Sequence, residues 1–580
     1  MNAKDYTAAQ LAAIETNAPE VLCVAGPGSG KTHTLVARIQ RLIAGGTPAD
    51  RICTMTFTNA GAGELSRRIT PEPDGPRAVK LGNLGTLHSF ALRMMKEYGE
   101  PFGYGEGVAV ISPESAADLI QSKAKTLNCK TPMKTLLKIK GAGQAERGLQ
   151  MSLEEVVICS YFDDLRGAGV VDYDAILSEF LRMLTENTIE TEILRGKLRE
   201  RFDHLLVDEV QDSSPIDWAI YRALPIPNKF FVGDTDQAIF GFRGGSVSET
   251  VHYAQMFGVQ VIRLEDNFRS RSEICAAANR LIAHNANRIH KDTLSVSGDG
   301  GEITAMAPCS NEGEEIGIVA KTIMRALLSD GKQSFAIISR TNAVADGFRK
   351  TLPHAGIPVV ERSVSELPRD WSFARSFIEL LIRPENDALA FFHLVALYEK
   401  RGASPFDARK KAHDKRNRAQ AEGRTLNEAE IGLTRVSRPE IALQALAGSG
   451  ASQEAVAVAL DKYHELPAGA TVLDLALSLG EVKERISEGT GEGVQCLTIH
   501  GAKGREFDIV FLVGFEDESC PGRAAKDDEH PELLEEERRL AYVAITRARE
   551  RVYICHSTSR VTPWGQTTAR KPSRFIAEML

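Results

Sequence analysis

The chain has 580 residues, of which 43% are hydrophobic and 26% are charged, and its formal net charge is −8. This length predicts about four domains of ordinary size, and the composition is typical of a globular protein. No stretch approaches the roughly 18 apolar residues of a membrane span, and residues 1–14 lack the apolar core of a secretory signal. The nine cysteines contain no CxxC pair, which argues against a structural zinc, an iron–sulfur cluster or a disulfide framework. We therefore expect a cytoplasmic protein without membrane contact.

An acidic chain does not have the usual composition of a nucleic-acid-binding protein. Any contact with DNA therefore has to come from local basic surfaces and from aromatic stacking. Two basic clusters are candidates, although such runs are often only solvated helix faces. They consist of Lys130, Lys134, Lys138, Lys140 and Arg147, and of Arg401, Arg409, Lys410, Lys411, Lys415, Arg416, Arg418 and Arg424.

The first predicted strand–loop–helix unit begins at residue 21. An apolar run at 21–24 precedes a glycine-rich loop and an amphipathic stretch, which is the order that a phosphate-binding loop requires. Glycines let backbone N–H groups surround the phosphates, and the helix N-terminus adds a favourable dipole. We expect Lys31 to reach the β and γ phosphates of ATP and the Thr32 hydroxyl to bind Mg²⁺; a glycine-rich turn is the alternative. The loop consists of Ala25, Gly26, Pro27, Gly28, Ser29, Gly30, Lys31 and Thr32.

A second apolar run, at 204–207, predicts a buried strand that ends at Asp208 and Glu209. A carboxylate at the end of a parallel strand beside a phosphate loop is where Mg²⁺ binds in such sites. Asp208 is the expected metal partner, directly or through water, and Glu209 is the expected base for the attacking water. Two adjacent carboxylates favour hydrolysis over phosphoryl transfer to a small acceptor. An exposed acidic turn is the alternative.

Eight segments, taken in order, resemble motifs of the UvrD/Rep family of superfamily 1 helicases, and the resemblance covers nearly the whole chain. They are 6–10, 56–59, 85–90, 207–212, 232–244, 264–270, 494–507 and 536–549. Each segment alone has an ordinary structural alternative, such as an edge strand or a packed helix. Eight in the family's order, at matching intervals, make coincidence a poor explanation.

The resemblance implies roles for residues around ATP and along DNA. The implied nucleotide contacts are Gln10 and Phe268 at the adenine, Glu506 at the ribose, Gln237 at the γ-phosphate, and the arginine fingers Arg269 and Arg547. The implied DNA contacts are Phe57, Thr58, Asn59, His88, Phe242, Arg243, Thr498 and His500. One departure is at residues 60 and 61, where relatives often carry a lysine and an alanine. One phosphate contact is absent if that lysine matters.

The resemblance also implies an α/β fold with two RecA-like P-loop motor domains, parallel sheets flanked by helices, each carrying a mainly helical insertion. The first motor domain is expected at 1–90 and 201–265, with its insertion at 91–200. The second is expected at 266–383 and 488–580, with a shortened insertion at 384–487. The nucleotide is then expected between the two motor domains.

The implied activity is that of an ATP- and Mg²⁺-dependent 3′-to-5′ translocase on single-stranded DNA, which unwinds tailed duplexes. The alternative is a DNA-stimulated ATPase subunit that senses DNA for a partner nuclease, because shortened chains of this kind are known in Gabija-type antiphage systems. An RNA helicase is a third and less favoured interpretation, since the motif set resembles the DNA-type set.

Overall fold

Two parallel sheets organise the chain in the computed structural model of the protein. The structure describes residues 6–69, 81–104, 108–111, 113–141, 151–167, 169–241, 244–329, 333–360, 362–365, 374, 439–448, 452–466, 470, 475, 478–479, 485–488, 493–522, 530–561 and 565–580. One sheet is built from strands within residues 20–264, and the other from strands within residues 302–554. The architecture is therefore α/β, as the sequence predicts.

The first sheet has six strands, and every neighbouring pair is parallel. The strands in this part of the chain are β1 (Glu20–Ala25), β2 (Ile52–Thr56), β3 (Asn83–Thr86), β4 (Ala109–Val110), β5 (Val170–Val171), β6 (His204–Val207), β7 (Asn228–Gly233) and β8 (Val259–Leu264). Their order in the sheet is β3-β2-β6-β7-β1-β8, while β4 pairs only with β5 among the described strands. Val21 and Cys23 pack into one apolar cluster, and Leu22 and Val24 pack into another. A parallel strand buried on both faces has a continuous apolar sequence, which explains the run at 21–24.

Helices cover both faces of this sheet and form the region between β3 and β6. They are α1 (Ala8–Glu15), α2 (Lys31–Ala44), α3 (Asn59–Ile69), α4 (Leu87–Tyr98), α5 (Pro113–Thr126), α6 (Met133–Gly141), α7 (Leu153–Gly167), α8 (Tyr173–Thr185), α9 (Ile189–Arg201), α10 (Pro215–Ala223) and α11 (Val247–Gln255). Helices α5 to α9 lie in the segment predicted as the first insertion. Short 3₁₀ helices occur at Ala49–Arg51, Glu100–Phe102, Val210–Asp212, Thr235–Gln237 and Leu352–Ala355.

Lys140, in α6, lies in the interior of this helical region. Its ammonium is 2.9 Å from Asp172 Oδ2 and 2.5 Å from Asp174 Oδ2, and the residue is 7% exposed. The prediction that Lys140 belongs to a DNA-facing basic cluster is therefore wrong, because two carboxylates draw this lysine inward. Lys134 is exposed. Arg147 and all members of the second basic cluster lie outside the described residues.

The second sheet has five strands in parallel register. The strands after residue 265 are β9 (Asp266–Asn267), β10 (Leu294–Ser295), β11 (Glu302–Ala305), β12 (Phe335–Ser339), β13 (Arg362–Ser365), β14 (Arg485–Glu488), β15 (Gln495–Thr498), β16 (Phe507–Leu512), β17 (Ala548–Ile554), β18 (Ser559–Val561) and β19 (Thr567–Ala569). The sheet order is β11-β17-β16-β12-β15, and β9 pairs with β10, β13 with β14, and β18 with β19. Alternate residues of β12 pack into two clusters, Ala336 and Ile338 in one and Phe335 and Ile337 in the other.

The helices of this second part complete the layers around the sheet. They are α12 (Ser272–Ile282), α13 (Glu312–Ser329), α14 (Asn342–Thr351), α15 (Pro439–Gly448), α16 (Gln453–His464), α17 (Ile499–Ala502), α18 (Pro531–Ile545) and α19 (Arg574–Met579). Helices α15 and α16 lie in the segment predicted as the second insertion. The bounds of the four predicted domains stay predictions. Across the residues that the structure describes, no helix combines the length and the apolar character needed to span a membrane.

Candidate functional site

The loop between β1 and α2 has the backbone of a phosphate cradle. Gly28 and Gly30 have φ angles of 67° and 75°, a left-handed conformation that glycine adopts without steric cost. A Cβ atom on Gly28 would also lie 2.8 Å from the Cβ of Arg269. A larger residue at position 28 would therefore displace a predicted arginine finger. Gly30 leads directly into α2, whose first residues are Lys31 and Thr32.

Side chains from two distant segments hold the backbone of this loop. Gln10 Nε2 donates to the Ser29 carbonyl at 2.9 Å, and Asn267 Nδ2 donates to the Pro27 carbonyl at 2.7 Å. Gln10 Oε1 accepts the Thr7 N–H at 3.0 Å within a capping box at the start of α1. The predicted adenine contact Gln10 is therefore bonded to the protein through both ends of its amide and lies against the loop.

The segment after β8 brings three predicted nucleotide contacts together. The Phe268 N–H donates to the Gly28 carbonyl at 3.0 Å, and the residue is 49% exposed, which leaves a ring face available to a base. Arg269 Nε donates to Glu506 Oε2 at 2.7 Å, and Arg269 Nη1 donates to the Thr546 carbonyl at 3.2 Å. The predicted adenine ring, one predicted finger and the predicted ribose contact are thus neighbours.

The carboxylates after β6 face the lysine of the loop. Lys31 Nζ lies 3.2 Å from Glu209 Oε1. Glu209 has a φ of 55°, and such backbone strain in a residue with a side chain is concentrated at functional sites. Burial favours the neutral acid, but the charges of Lys31 and Lys503 lower the pKa of Glu209. Burial and the charge of Glu209 raise the pKa of Asp208.

The Asp208 carboxylate and the Thr32 hydroxyl fit a magnesium ion. Mg²⁺ prefers oxygen ligands and binds through one or two carboxylates together with phosphate oxygens. Asp208 is partly buried beside the negative charge of Glu209, and a bound divalent cation would favour its ionised form. The donor set is therefore chemically suited to the cofactor that the sequence predicts.

Gln237 and Arg547 meet between the two sheets. Gln237 lies in the short 3₁₀ helix Thr235–Gln237, which follows β7 of the first sheet. Arg547 lies between α18 and β17 of the second part. Arg547 Nη2 is 3.5 Å from Gln237 Oε1, and Arg547 Nε donates to the Val543 carbonyl at 2.9 Å. Burial lowers the pKa of Arg547 to about 9. A predicted γ-phosphate sensor from the first half of the chain (6–264, with the first sheet) and a predicted finger from the second half (266–580, with the second sheet) therefore contact each other.

A second contact between the halves was not foreseen from the sequence. Lys503 Nζ lies 2.6 Å from Asp212 Oδ2 and donates to the Gln237 carbonyl at 3.2 Å. Burial raises the pKa of Asp212 to about 6, although the charge of Lys503 opposes the shift. Both residues lie inside recognised motifs, at 494–507 and 207–212. Their position in a motif carried no information about their distance from each other.

The predicted DNA contacts include an aromatic group that spans both halves. The rings of Phe57 and Phe240 stack with centroids 5.4 Å apart, and the His500 ring lies 6.1 Å from Phe240. Lys503 Nζ lies 4.7 Å from the centroid of the Phe240 ring. Phe240 is not among the DNA contacts that the resemblance implies, whereas Phe242 is. Phe242 and its neighbour at position 243, Arg243, lie outside the described residues.

His88 has a partner from the first helical region. Its ring stacks on Tyr173, the first residue of α8, with centroids 4.1 Å apart and planes 19° apart. Burial lowers the pKa of His88 to about 4, so the ring is neutral at physiological pH. Tyr173 was missed because a lone tyrosine at the start of a helix carries no signal of its partner.

The remaining predicted DNA contacts serve the local backbone. Thr58 Oγ1 accepts the Gly61 N–H at 3.1 Å in the first turn of α3, and Thr498 Oγ1 accepts the Gly501 N–H at 3.2 Å in α17. Asn59 is buried. The two hydroxyl groups therefore order the turns where β2 and β15 end.

Models of two helicase domains together match most of the chain. The UvrD/REP helicase N-terminal domain matches residues 6–257, and the UvrD-like helicase C-terminal domain matches residues 262–366 and 461–559. The chain belongs to the UvrD/Rep helicase family. It is accordingly an ATP-dependent DNA helicase, and its two sheets are those of RecA-like motor domains that use Mg²⁺.

Curated relatives align along almost the whole of this helicase. An ATP-dependent DNA helicase PcrA from Leuconostoc citreum is 28% identical over 98% of the chain and 84% of its own length. A probable DNA helicase II homolog from Rickettsia felis is 27% identical over 98% of the chain and 95% of its own length. An ATP-dependent DNA helicase PcrA from Staphylococcus epidermidis is 26% identical over 100% of the chain and 87% of its own length.

Proposed function

We propose that this helicase moves along single-stranded DNA in the 3′-to-5′ direction and thereby unwinds tailed duplexes in the cytoplasm. The observation that carries the proposal is the meeting of Gln237 and Arg547 between the two sheets, at 3.5 Å. A nucleotide in the loop after β1 is then contacted from both halves at once. ATP binding closes the cleft between the two halves, and hydrolysis opens it again. This motion moves a DNA strand that lies across both halves. The polarity is carried over from the family resemblance.

Nucleotide binding is assigned to the loop and the segments that hold it. The backbone of residues 25–30 and the Lys31 ammonium bind the phosphates at the N-terminus of α2. The adenine lies between Gln10 and Phe268, and Glu506 binds the ribose. Since Glu506 pairs with Arg269 at 2.7 Å, ribose binding competes with that pair and releases Arg269 toward the phosphates.

Glu209 acts as the general base in this scheme, and Lys31 controls its basicity. The ion pair at 3.2 Å keeps the Glu209 carboxylate weakly basic before ATP binds. Once Lys31 binds phosphate oxygens, Glu209 loses this partner, and its pKa rises toward the value that a base needs. Glu209 then accepts the proton of the attacking water. Asp208 and Thr32 would hold Mg²⁺, which would neutralise phosphate charge at this site.

Arg547 and Arg269 stabilise the charge that develops at the γ-phosphate. Arginine fingers in phosphoryl transfer contribute about 10³- to 10⁵-fold in rate. Gln237 contacts Arg547 and so relates the state of the γ-phosphate to the second half. Its carbonyl also accepts from Lys503 at 3.2 Å, and Lys503 lies against Phe240. Lys503 therefore links the proposed sensor, Gln237, to the ring of Phe240 on the proposed DNA face.

DNA binding is assigned to the rings and hydroxyls at the ends of the strands. Phe57, Phe240 and Phe242 offer π faces to bases, and stacking contributes about 1–3 kcal/mol per base. The further contacts proposed are Thr58, Asn59, His88, Arg243, Thr498 and His500. Because the net charge is −8, we assign a larger share of the affinity to stacking than is usual for DNA-binding proteins.

Strand displacement on three substrates tests the proposal directly. Purified protein with ATP and Mg²⁺ is incubated with 3′-tailed, 5′-tailed and blunt duplexes, and ATP hydrolysis is measured with single-stranded DNA, with RNA and without nucleic acid. We expect displacement of the 3′-tailed substrate and stimulation by DNA. Equal displacement of the 5′-tailed substrate, or hydrolysis that ignores DNA, would contradict the proposal.

The same assay distinguishes an independent helicase from the alternative role as a subunit that senses DNA for a partner. If 3′-tailed duplexes are displaced only after a second protein such as a nuclease is added, the chain is better described as a DNA-stimulated ATPase subunit of an antiphage complex of the Gabija type. Adding the products of neighbouring genes one at a time identifies that protein. Displacement by the isolated chain excludes this dependence.

A further inference from the structure

A buried cluster of two acids and two bases joins the sensor turn to the second half of the molecule. Asp234 and Asp236 lie in the turn after β7, and Arg288 and Lys291 lie between α12 and β10. Lys291 Nζ is 2.6 Å from Asp234 Oδ1 and also pairs with Asp236. Arg288 donates to both carboxylate oxygens of Asp236, at 2.9 and 2.7 Å. All four residues are buried, so their charges compensate one another in a medium of low dielectric constant.

Lys291 shares one of these carboxylates with the proposed sensor. Asp234 Oδ2 accepts from Gln237 Nε2 at 2.5 Å, while Asp234 Oδ1 faces Lys291. The Asp234 N–H donates to Gln211 Oε1 at 2.9 Å, and Gln211 Nε2 in turn donates to Glu209. Asp234 therefore connects Lys291 to both the proposed sensor and the proposed base.

Lys291 is itself anchored to the part of the chain that carries Arg269. Thr293, two residues later, exchanges hydrogen bonds with the Asn279 side chain of α12 at 3.0 and 3.1 Å, and α12 packs in a core of the second sheet. Strand β10 pairs with β9, which ends two residues before Arg269. Lys291 Cε also lies 3.6 Å from the point that a Cβ on Gly26 would occupy. The side chain therefore runs from the second half, past the phosphate loop, to the sensor turn.

We propose that Lys291 is a positioning residue for ATP hydrolysis. It holds Asp234 so that Gln237 keeps a fixed position relative to the phosphate loop and to Arg269. Burial opposes the charge of Lys291, but Asp234 and Asp236 raise its pKa, so the ammonium is present at physiological pH. Asp234 Oδ1 also accepts the Asp236 N–H at 3.0 Å, and this bond remains when the cation is removed. The carboxylate is then held less firmly, and Gln237 loses the fixed acceptor that orients its amide. This inference rests on the role proposed for Gln237.

Lys291→Met tests the inference, with Lys229→Met as its matched control. Lys229 is also a buried lysine, but it lies at the start of β7, about 16 Å along the strand from Asp234 at ordinary strand rise. Its ammonium donates to the Arg222 carbonyl at 3.2 Å and lies 4.0 Å from Glu20 Oε1. Steady-state ATP hydrolysis is measured with saturating single-stranded DNA. We expect Lys291→Met to lower kcat at least about tenfold with KM for ATP changed less than about threefold, which is the signature of a lost transition-state interaction. Lys229→Met keeps the kcat of the wild type.

A double variant separates positioning from simple charge balance. Asp236→Asn combined with Lys291→Met leaves one negative charge, on Asp234, and one positive charge, on Arg288. The net charge of the cluster is then zero again, so the melting temperature should return toward that of the wild type. Under the proposal, kcat stays low because Asp234 still lacks its cation. Full recovery of kcat in the double variant, or a wild-type kcat in a folded Lys291→Met protein, would overturn the inference. If the wild type itself shows no DNA-stimulated hydrolysis, the proposed function fails instead.

Discussion

The proposed nucleotide site and the proposed DNA face are built from different interactions. Around the nucleotide site, buried or partly buried acids and bases pair at short range, as Lys31 does with Glu209 and Lys503 with Asp212. The DNA face is made of partly buried rings such as Phe57 and Phe240, which stack at 5.4 Å. Charge pairs in a medium of low dielectric constant depend steeply on distance, whereas stacking tolerates small displacements. The rate of ATP hydrolysis should therefore change sharply when a single charged side chain is replaced. The affinity for DNA should change only gradually when a single ring is replaced.

The largest expected effect is on turnover after Arg547→Ala. Arg547 meets Gln237 from the second half, and the loss of an arginine finger costs on the order of 10³-fold or more in rate. Steady-state hydrolysis with saturating single-stranded DNA measures kcat, and fluorescence anisotropy measures DNA affinity, which should change little. Arg551→Ala is the control, because Arg551 is a more exposed arginine on β17. Equal losses in the two variants would contradict the role of Arg547.

Glu209→Gln should affect turnover by a similar or slightly smaller factor. The amide retains the shape of the side chain but cannot accept the proton of the attacking water, and general base catalysis contributes about 10²- to 10⁴-fold. ATP binding, measured with a fluorescent analogue, should persist because Lys31 and the loop are unchanged. Glu192→Gln, on the exposed surface of α9, is the control. Full hydrolysis by the Glu209→Gln protein would refute the base assignment and would weaken the contrast between the two regions.

Phe240→Leu should weaken DNA binding without abolishing it. Leucine retains much of the apolar volume but has no π face, and base stacking contributes about 1–3 kcal/mol. The affinity for a single-stranded oligonucleotide, measured by anisotropy, should fall while basal hydrolysis without DNA stays near that of the wild type. Phe257→Leu removes a fully exposed ring at the end of α11 and should leave the affinity unchanged. Unaltered affinity in Phe240→Leu would place DNA elsewhere.

The smallest expected effect on DNA binding is that of replacing a lysine of the first basic cluster, and it should differ between Lys134 and Lys140. Lys134 is exposed, and if it contacts a phosphate, Lys134→Met should lower the slope of log affinity against log salt by about one. Lys140→Met should leave that slope unchanged, because Lys140 pairs with Asp172 and Asp174 in the interior. It should instead lower the melting temperature, since two carboxylates lose their cation. A reduced salt slope in Lys140→Met would contradict the buried placement.

Several features of the fold were predictable because they depend on neighbouring residues. The apolar run at 21–24 and the glycines after it predicted β1, the phosphate loop and the start of α2. The run at 204–207 predicted β6, with Asp208 and Glu209 at its end. Lys140 was assigned wrongly because a basic pattern does not reveal acidic partners 32 and 34 residues away. Lys291 and Tyr173 carried no local signal at all.

Local sequence alone determined the strands, the helix that begins at Lys31, and the residue types of the proposed chemistry, because periodicity and glycine conformations act over a few residues. Only the tertiary structure decided which charged groups face each other. Lys31 and Glu209 are 178 positions apart, and Gln237 and Arg547 are 310 positions apart. Such pairs depend on how the two sheets are juxtaposed. The physical reason is that the energy of an ion pair depends on the distance between the charges and on the surrounding dielectric constant. Neither quantity can be read from the residues that neighbour each charge in the sequence.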